Sequence, residues 1–168
     1  MTIRCAILTI SDRCSSGIRT DTSGPALKHL ASTLGWEITA TRIIPDEVEI
    51  IKEQLVAWSD SYKVDVILTT GGTGFSPRDV TPEATAAVVE KNAPGLAEFM
   101  RAESIRVTPH GMLSRGICGI RKKALIINLP GSEKAAVENI QSISSVIPHA
   151  IALLQEDPTS EKGHRYQT

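Results

Sequence analysis

The chain has 168 residues, with Lys+Arg 18 against Asp+Glu 19 and a formal charge of −1. A chain near this length buries roughly 70% of its unfolded surface as one domain, so its core needs no disulfide or metal staple. Hydrophobic residues at 41% and charged residues at 22% exclude a disordered chain, the near-neutral balance removes the whole-chain case for nucleic-acid binding, and aromatics at 4% argue against a base-stacking platform.

The elements follow in chain order. The N-terminal apolar run is interrupted at Ser11-Asp12. It is too short for a signal peptide or a membrane span and reads as a buried strand, Cys5 to Ile10. A helix is expected over Pro25 to Leu34, ending at Gly35. Trp36 to Ile44 alternates and reads as a more exposed strand. Asp46 to Trp58 places Val48, Ile51, Leu55 and Trp58 at helical spacing. Val64 to Thr69 is a second buried strand. Thr81-Pro82 opens a helix running to Glu90, and Pro94 to Ile105 is another. Thr108 to Lys123, with Gly111, Gly116 and Gly119, holds either a short hairpin or an ordered binding loop. Ala124 to Leu129 is a third buried strand, and Glu133 to Leu154 is helical with Pro148 as a kink or division.

Near-continuous apolar strands separated by helices predict a single-domain α/β fold. Its sheet is doubly wound and mostly parallel, with helices on both faces. The domain is placed at residues 1–155, and residues 156–168 read as a polar tail. Cys5, Cys14 and Cys118 form no Cys-x-x-Cys pair and read as reduced thiols of a cytoplasmic protein. The four histidines lack metal-ligand spacing, and only His110 lies near a candidate site.

In such a sheet ligands bind beyond the C-terminal strand ends. Four polar, Gly-rich segments fall there. The first, Ser11 to Gly17 running on to Asp21-Thr22-Ser23-Gly24, suits either a phosphate or a plain turn. The second, Thr69 to Pro82, carries Gly71, Gly72 and Gly74 and an Arg78-Asp79 pair. It lacks the Lys-Ser/Thr ending of a Walker loop, yet reads as a ligand loop. The third is Pro45-Asp46-Glu47. Alone, Asp46 is a helix-dipole charge; opposite Asp79, the two carboxylates suit Mg²⁺ beside a polyphosphate. The fourth joins Ser114-Arg115-Gly116 to Asn128-Leu129-Pro130-Gly131-Ser132. A polar Asn128 ending an apolar run caps a helix or touches a ligand.

The segment Thr69 to Thr85 resembles the signature of molybdopterin adenylyltransferases, the MogA-like enzymes and related domains of molybdenum-cofactor proteins. Further matches are Leu8-Thr9-Ile10-Ser11-Asp12, Ile44-Pro45-Asp46-Glu47, Pro94-Gly95, Met112-Leu113-Ser114-Arg115, Gly119-Ile120-Arg121 and Asn128-Leu129-Pro130-Gly131. They span about residues 3 to 155. The resemblance implies transfer of AMP from Mg-ATP to the terminal phosphate of molybdopterin, with release of pyrophosphate. It also implies a homotrimer and a downstream molybdenum insertase. Carried over, Asp46 and Asp79 match the functional aspartates and are assigned to Mg²⁺ and the ATP phosphates. Gly72, Thr73 and Gly74 match the ligand loop; Ser11, Asp12, Asp21 and Ser23 the first strand-end loop; Ser114, Asn128, Pro130 and Gly131 the pterin side. The alternative is a non-catalytic molybdopterin carrier on the same fold. No nucleic acid or membrane partner is expected.

Overall fold

A computed structural model describes residues 2–156; residues 157–168, where the polar tail and His164 were expected, lie outside the described residues. The parallel part of the sheet comprises β1 (Arg4–Ile10), β2 (Glu37–Ile44), β3 (Val66–Thr70) and β6 (Ala124–Leu129). The strand order is β2-β1-β3-β6-β5-β4, with β5 (Cys118–Arg121) and β4 (Lys91–Asn92) added antiparallel at one edge. The chain leaves β1 toward β2, then returns to place β3 on the other side. That reversal opens a crevice beyond the ends of β1 and β3.

Alternation along the central strands sends apolar side chains to both faces. Cys5, Ile7, Val66, Leu68, Leu125 and Ile127 pack under α2 (Ser23–Thr33), α5 (Pro94–Val107), α6 (Glu133–Ile143) and α7 (Ile147–Leu154). Ala6, Leu8, Ile10, Ile67 and Ile126 pack under α3 (Val48–Asp60) and α4 (Thr81–Ala86). Both faces are covered, so the strands read as unbroken apolar runs. The edge strand β2 keeps the alternating, half-exposed pattern expected of it.

The boundaries differ where tertiary bonding overrides propensity. α4 stops at Ala86 rather than Glu90. Val88 turns into the core, and the Glu90 amide bonds the Ile120 carbonyl at the sheet edge. The long C-terminal helix is two, with Pro148 in the first turn of α7. Thr108 to Lys123 holds a 3-10 turn (Pro109–Leu113) and then β5, which pairs antiparallel with the following strand β6. A four-residue α1 (Asp12–Ser15) also lies where only a loop was expected. No helix of the described residues is long and apolar enough to cross a membrane.

At the N-terminal ends of the strands, Asp65 is buried and fully engaged. Its carboxylate accepts from the Arg4 amide (2.8 Å), Arg4 Nη2 (2.7 Å) and Gln155 Nε2 (2.9 Å). Burial alone would raise its pKa; the Arg4 guanidinium and amide outweigh that, and the net shift is downward.

Candidate functional site

Two cavities open at the C-terminal strand ends. The first, about 410 Å³, is lined by residues following β1, β2 and β3, including Ser11, Asp21, Ser23, Asp46 and Asp79. The second, about 480 Å³, is lined by neutral groups such as Thr73, Ser104, Ser114 and Asn139, together with His110 and Asp79. They share a wall made of Gly72, Asp79, Gly131 and Ser132.

The backbone at Gly71 and Gly72 makes the shared wall possible. Both have positive φ, +103° and +63°. A Cβ on Gly71 would stand 2.2 Å from the Ile10 carbonyl oxygen, and one on Gly72 would stand 2.4 Å from Thr81 Oγ1 and 2.9 Å from Asp46 Oδ1. Only glycine lets the loop pass this close to β1 and to the carboxylate. Thr81 closes the loop's base: its amide bonds the Gly72 carbonyl (3.0 Å) and its hydroxyl the Gly71 carbonyl (2.8 Å).

Asp12 and Asp46 hold each other by reciprocal backbone bonds. The Asp12 amide donates to Asp46 Oδ2 (2.8 Å), and the Asp46 amide to Asp12 Oδ1 (3.0 Å). Arg78 crosses from the glycine-rich loop to this pair, with Nε 2.9 Å from Asp12 Oδ2 and Nη2 2.8 Å from Glu47 Oε1. The three strand-end loops are thus tied together. Arg78 draws the Asp12 pKa down, assisted by the Asp46 amide. Asp46 moves the other way: burial raises its pKa, and the charges of Asp12 and Asp79 add to the rise. Asp79 accepts from the Ser76 amide (3.0 Å). Asp46, half-buried and repelled, and Asp79 both face this cavity, with Asp21 the third carboxylate on its lining. These are hard oxygen donors of the kind that share a Mg²⁺ with substrate phosphates. Among the described residues no cluster of three His, Cys, Asp or Glu side chains forms a self-sufficient metal cage.

Two helices of 11 residues each, α2 and α6, begin at the acidic cavity's edge, at Ser23 and beside Ser132. Their amide ends, with Arg19 on the lining, favour an anion there. Asp21 is built into that edge, accepting from Thr9 Oγ1 (2.6 Å), Ser23 Oγ (3.1 Å) and the Gly24 amide (3.0 Å).

The sequence-expected residues divide accordingly. Ser11, Asp21, Ser23 and Asp46 line the acidic cavity; Thr73, Gly74, Ser114 and Pro130 line the neutral one; Gly72, Asp79 and Gly131 line both. Asp12 lies beside the acidic cavity as the Arg78 partner. Asn128 stands apart from both cavities. It is 2% exposed and lines neither cavity. Its Nδ2 donates to Thr69 Oγ1 and Thr85 Oγ1 (both 2.9 Å), and its Oδ1 accepts from the Ile117 amide (3.3 Å). Buried polar groups must be satisfied, and these bonds satisfy Asn128 inside the protein. Cys14, Arg19, Ser104 and Asn139 also line the cavities, although sequence reasoning did not single them out as ligands. Ser104 sits in the last turn of α5 and Asn139 in the middle of α6, where sequence carries no binding signal.

The chain matches, over residues 6–149, the family profile described as "Probable molybdopterin binding domain". It is 49% identical over 156 residues to the molybdenum cofactor synthesis protein cinnamon of Drosophila melanogaster, covering 92% of this chain but 26% of that protein. This chain therefore spans about a quarter of that relative's length. It is 41% identical over 155 residues to a molybdopterin adenylyltransferase of Helicobacter pylori (strain ATCC 700392 / 26695), covering 91% of this chain and 88% of that enzyme. The crystal structure of the molybdopterin biosynthesis enzyme MoaB from Thermus thermophilus superposes with a TM-score of 0.88 at 44% identity, over 94% of this chain and 99% of that one. With the profile covering most of its length and the Helicobacter pylori protein matched over 88% of its own, this chain belongs to the molybdopterin-binding domain family of molybdenum-cofactor biosynthesis.

Proposed function

We propose that this chain is a molybdopterin adenylyltransferase, transferring AMP from ATP to the terminal phosphate of molybdopterin. The observation that carries the reading is the pair of cavities with one shared wall. One cavity has carboxylates, helix amide ends and Arg19 for phosphates; the other has neutral polar groups and little charge for a heterocycle. A molybdopterin phosphate oxygen forms a new bond to the α-phosphorus of ATP. The bond from that phosphorus to the β-phosphate oxygen breaks, and pyrophosphate leaves with the electron pair.

No covalent protein nucleophile is required, because the attacking phosphate is already ionised. The protein's task is positioning and charge control. Asp46 and Asp79 would hold Mg²⁺. When bound, it supplies the positive charge that lets carboxylates and phosphates share one cavity. The amide ends of α2 and α6 and the Ser11 and Ser23 side chains orient the phosphates. Thr73, Ser114 and Pro130 line the pterin side.

Purified protein given molybdopterin, Mg²⁺ and labelled ATP should form adenylylated molybdopterin and pyrophosphate. Binding without turnover would overturn the reading in favour of a carrier. The proposal extends to a cytoplasmic homotrimer whose product is consumed by a molybdenum insertase. The exposed Phe99, Ile105, Val107, Met112 and Leu113 on and after α5 support self-association. Light scattering that finds only the 18.1 kDa monomer would count against the trimer.

A further inference from the structure

We propose that Arg115 is the positioning residue that holds Asp79 at the wall between the two cavities. The inference rests on the adenylyltransferase reading for the role of Asp79, but its geometry stands on its own. The chain from Gly74 to Asp79 forms no helix or strand. Its internal bonds lie toward one end: the Asp79 amide to the Ser76 carbonyl (2.9 Å), the Ser76 amide to Asp79 Oδ2 (3.0 Å) and the Arg78 amide to Ser76 Oγ (3.4 Å). Arg115 spans the whole segment from outside. Its Nε donates to the Gly74 carbonyl (2.7 Å) and its Nη2 to the Asp79 carbonyl (2.7 Å). Its own amide donates to the Thr73 carbonyl (2.9 Å), and Glu83 of α4 pairs with the guanidinium.

The arginine is itself anchored. Arg101 of α5 donates from Nε to the Ser114 carbonyl and from Nη2 to the Gly116 carbonyl, each at 2.9 Å, so the residues on both sides of Arg115 are held. A planar guanidinium with a fixed fork of donors can bond two carbonyls and a carboxylate together; an ammonium cannot reproduce that geometry. Arg78 ties the same loop to Asp12 and Glu47 on the opposite side. Arg115 touches neither substrate position directly and acts through Asp79. Because Ser114 lines the neutral cavity, Arg115 also joins the backbone of that cavity to the carboxylate serving the acidic one.

Arg115→Met and Arg115→Lys test the assignment in the parent and in an Asp79→Asn background. Misplacing a reacting group by about 1 Å costs ~10²-fold, so Arg115→Met should lower kcat by about that factor with little change in KM for molybdopterin. Arg115→Lys, keeping charge but losing the fork, should fall between. In Asp79→Asn protein, Arg115→Met should cost less than about twofold more, because its route to catalysis is already gone. Hydrogen exchange gives a readout independent of turnover. The Ser76 and Asp79 amides should exchange at least about tenfold faster in Arg115→Met, while β3 and α6 amides keep their protection. Equal losses in both backgrounds, or unchanged exchange at Ser76 and Asp79, would overturn the proposal. Full kcat in Asp79→Asn alone would refute the role given to Asp79 while leaving the exchange result to judge the clamp.

Discussion

Asp65 and Asp46 lie at opposite ends of the same sheet and are treated in opposite ways. At the N-terminal end Asp65 is buried beside Arg4 and Gln155, its acceptor capacity is used, and its pKa is driven down. At the C-terminal end Asp46 is partly buried without a cation of its own, faces two other carboxylates, and its pKa is driven up. The first arrangement stabilises the fold. The second holds negative charge in an unfavourable place and waits for something positive. Perturbed carboxylates gathered in a cleft mark a functional site better than buried ones that are satisfied.

Substitutions can separate these two ends. The largest effect is expected at Asp79. Asp79→Asn removes a charge while keeping shape, and should lower adenylylation by ~10²–10³-fold, equivalent to ~3–4 kcal/mol. Steady-state kinetics at saturating Mg-ATP would check it, with molybdopterin binding retained. Parental activity would leave Asp79 as a loop-shaping residue only. At the other end Arg4→Met strands the Asp65 carboxylate. It should cost about 3 kcal/mol and lower the melting temperature by ~6–12 °C, with kcat of the folded protein unchanged. A calorimetric scan decides this, and an unshifted melting point would show that the two ends do not differ in structural importance.

Asp46→Asn should reverse that pattern. Activity should fall about tenfold, and less than additively with Asp79→Asn if both serve one cation. Stability should rise, by ~1–3 °C, because a repelled charge is removed. Thermal melts and kinetics on the same preparation would show whether function and stability trade off here.

The pH dependence sharpens the contrast. A raised folded pKa means that the native state keeps its proton longer, so the cost of ionised Asp46 appears as pH rises from the usual carboxylate range through that raised value. The stabilising effect of Asp46→Asn should therefore vanish in acid. Asp65 has a lowered folded pKa, so its contribution is present above the usual carboxylate pKa and is lost as pH falls through the folded one. Denaturant melts from neutral pH down to about pH 3 would reveal both trends. The smallest effect is expected at Ser114. Ser114→Ala should raise KM for molybdopterin by only a few-fold, ~1 kcal/mol, without altering the ATP phosphates' environment.

The sequence exposes the layout of this molecule unevenly. The runs at β1, β3 and β6 are apolar on both faces because helices cover both faces, and that is visible without coordinates. The two-residue β4 is not visible, and the glycine-containing β5 stays open between hairpin and loop, since pairing at the sheet edge creates them rather than local preference. That Asp46 and Asp79 meet at one cavity could be anticipated, because strand-end loops converge in this topology. Asn128 shows the limit. A polar residue ending a buried strand has the same sequence signature whether it meets a ligand or, as here, two threonines and an amide of its own chain. Arg115 is similar: the reach of its guanidinium to Gly74 and Asp79 is a purely tertiary fact.

The three thiols offer an experimental handle. Burial pushes Cys5 and Cys118 up to about 12, leaving almost no thiolate at neutral pH, whereas Cys14 is partly exposed on the acidic cavity's lining. Thiolate-selective alkylation of the unmodified protein should therefore stop at one adduct. A fluorophore or spin label could be placed at the acidic cavity without engineering a single cysteine out. Its signal would report nucleotide arrival in real time, and protection of Cys14 by ATP would map the cavity chemically.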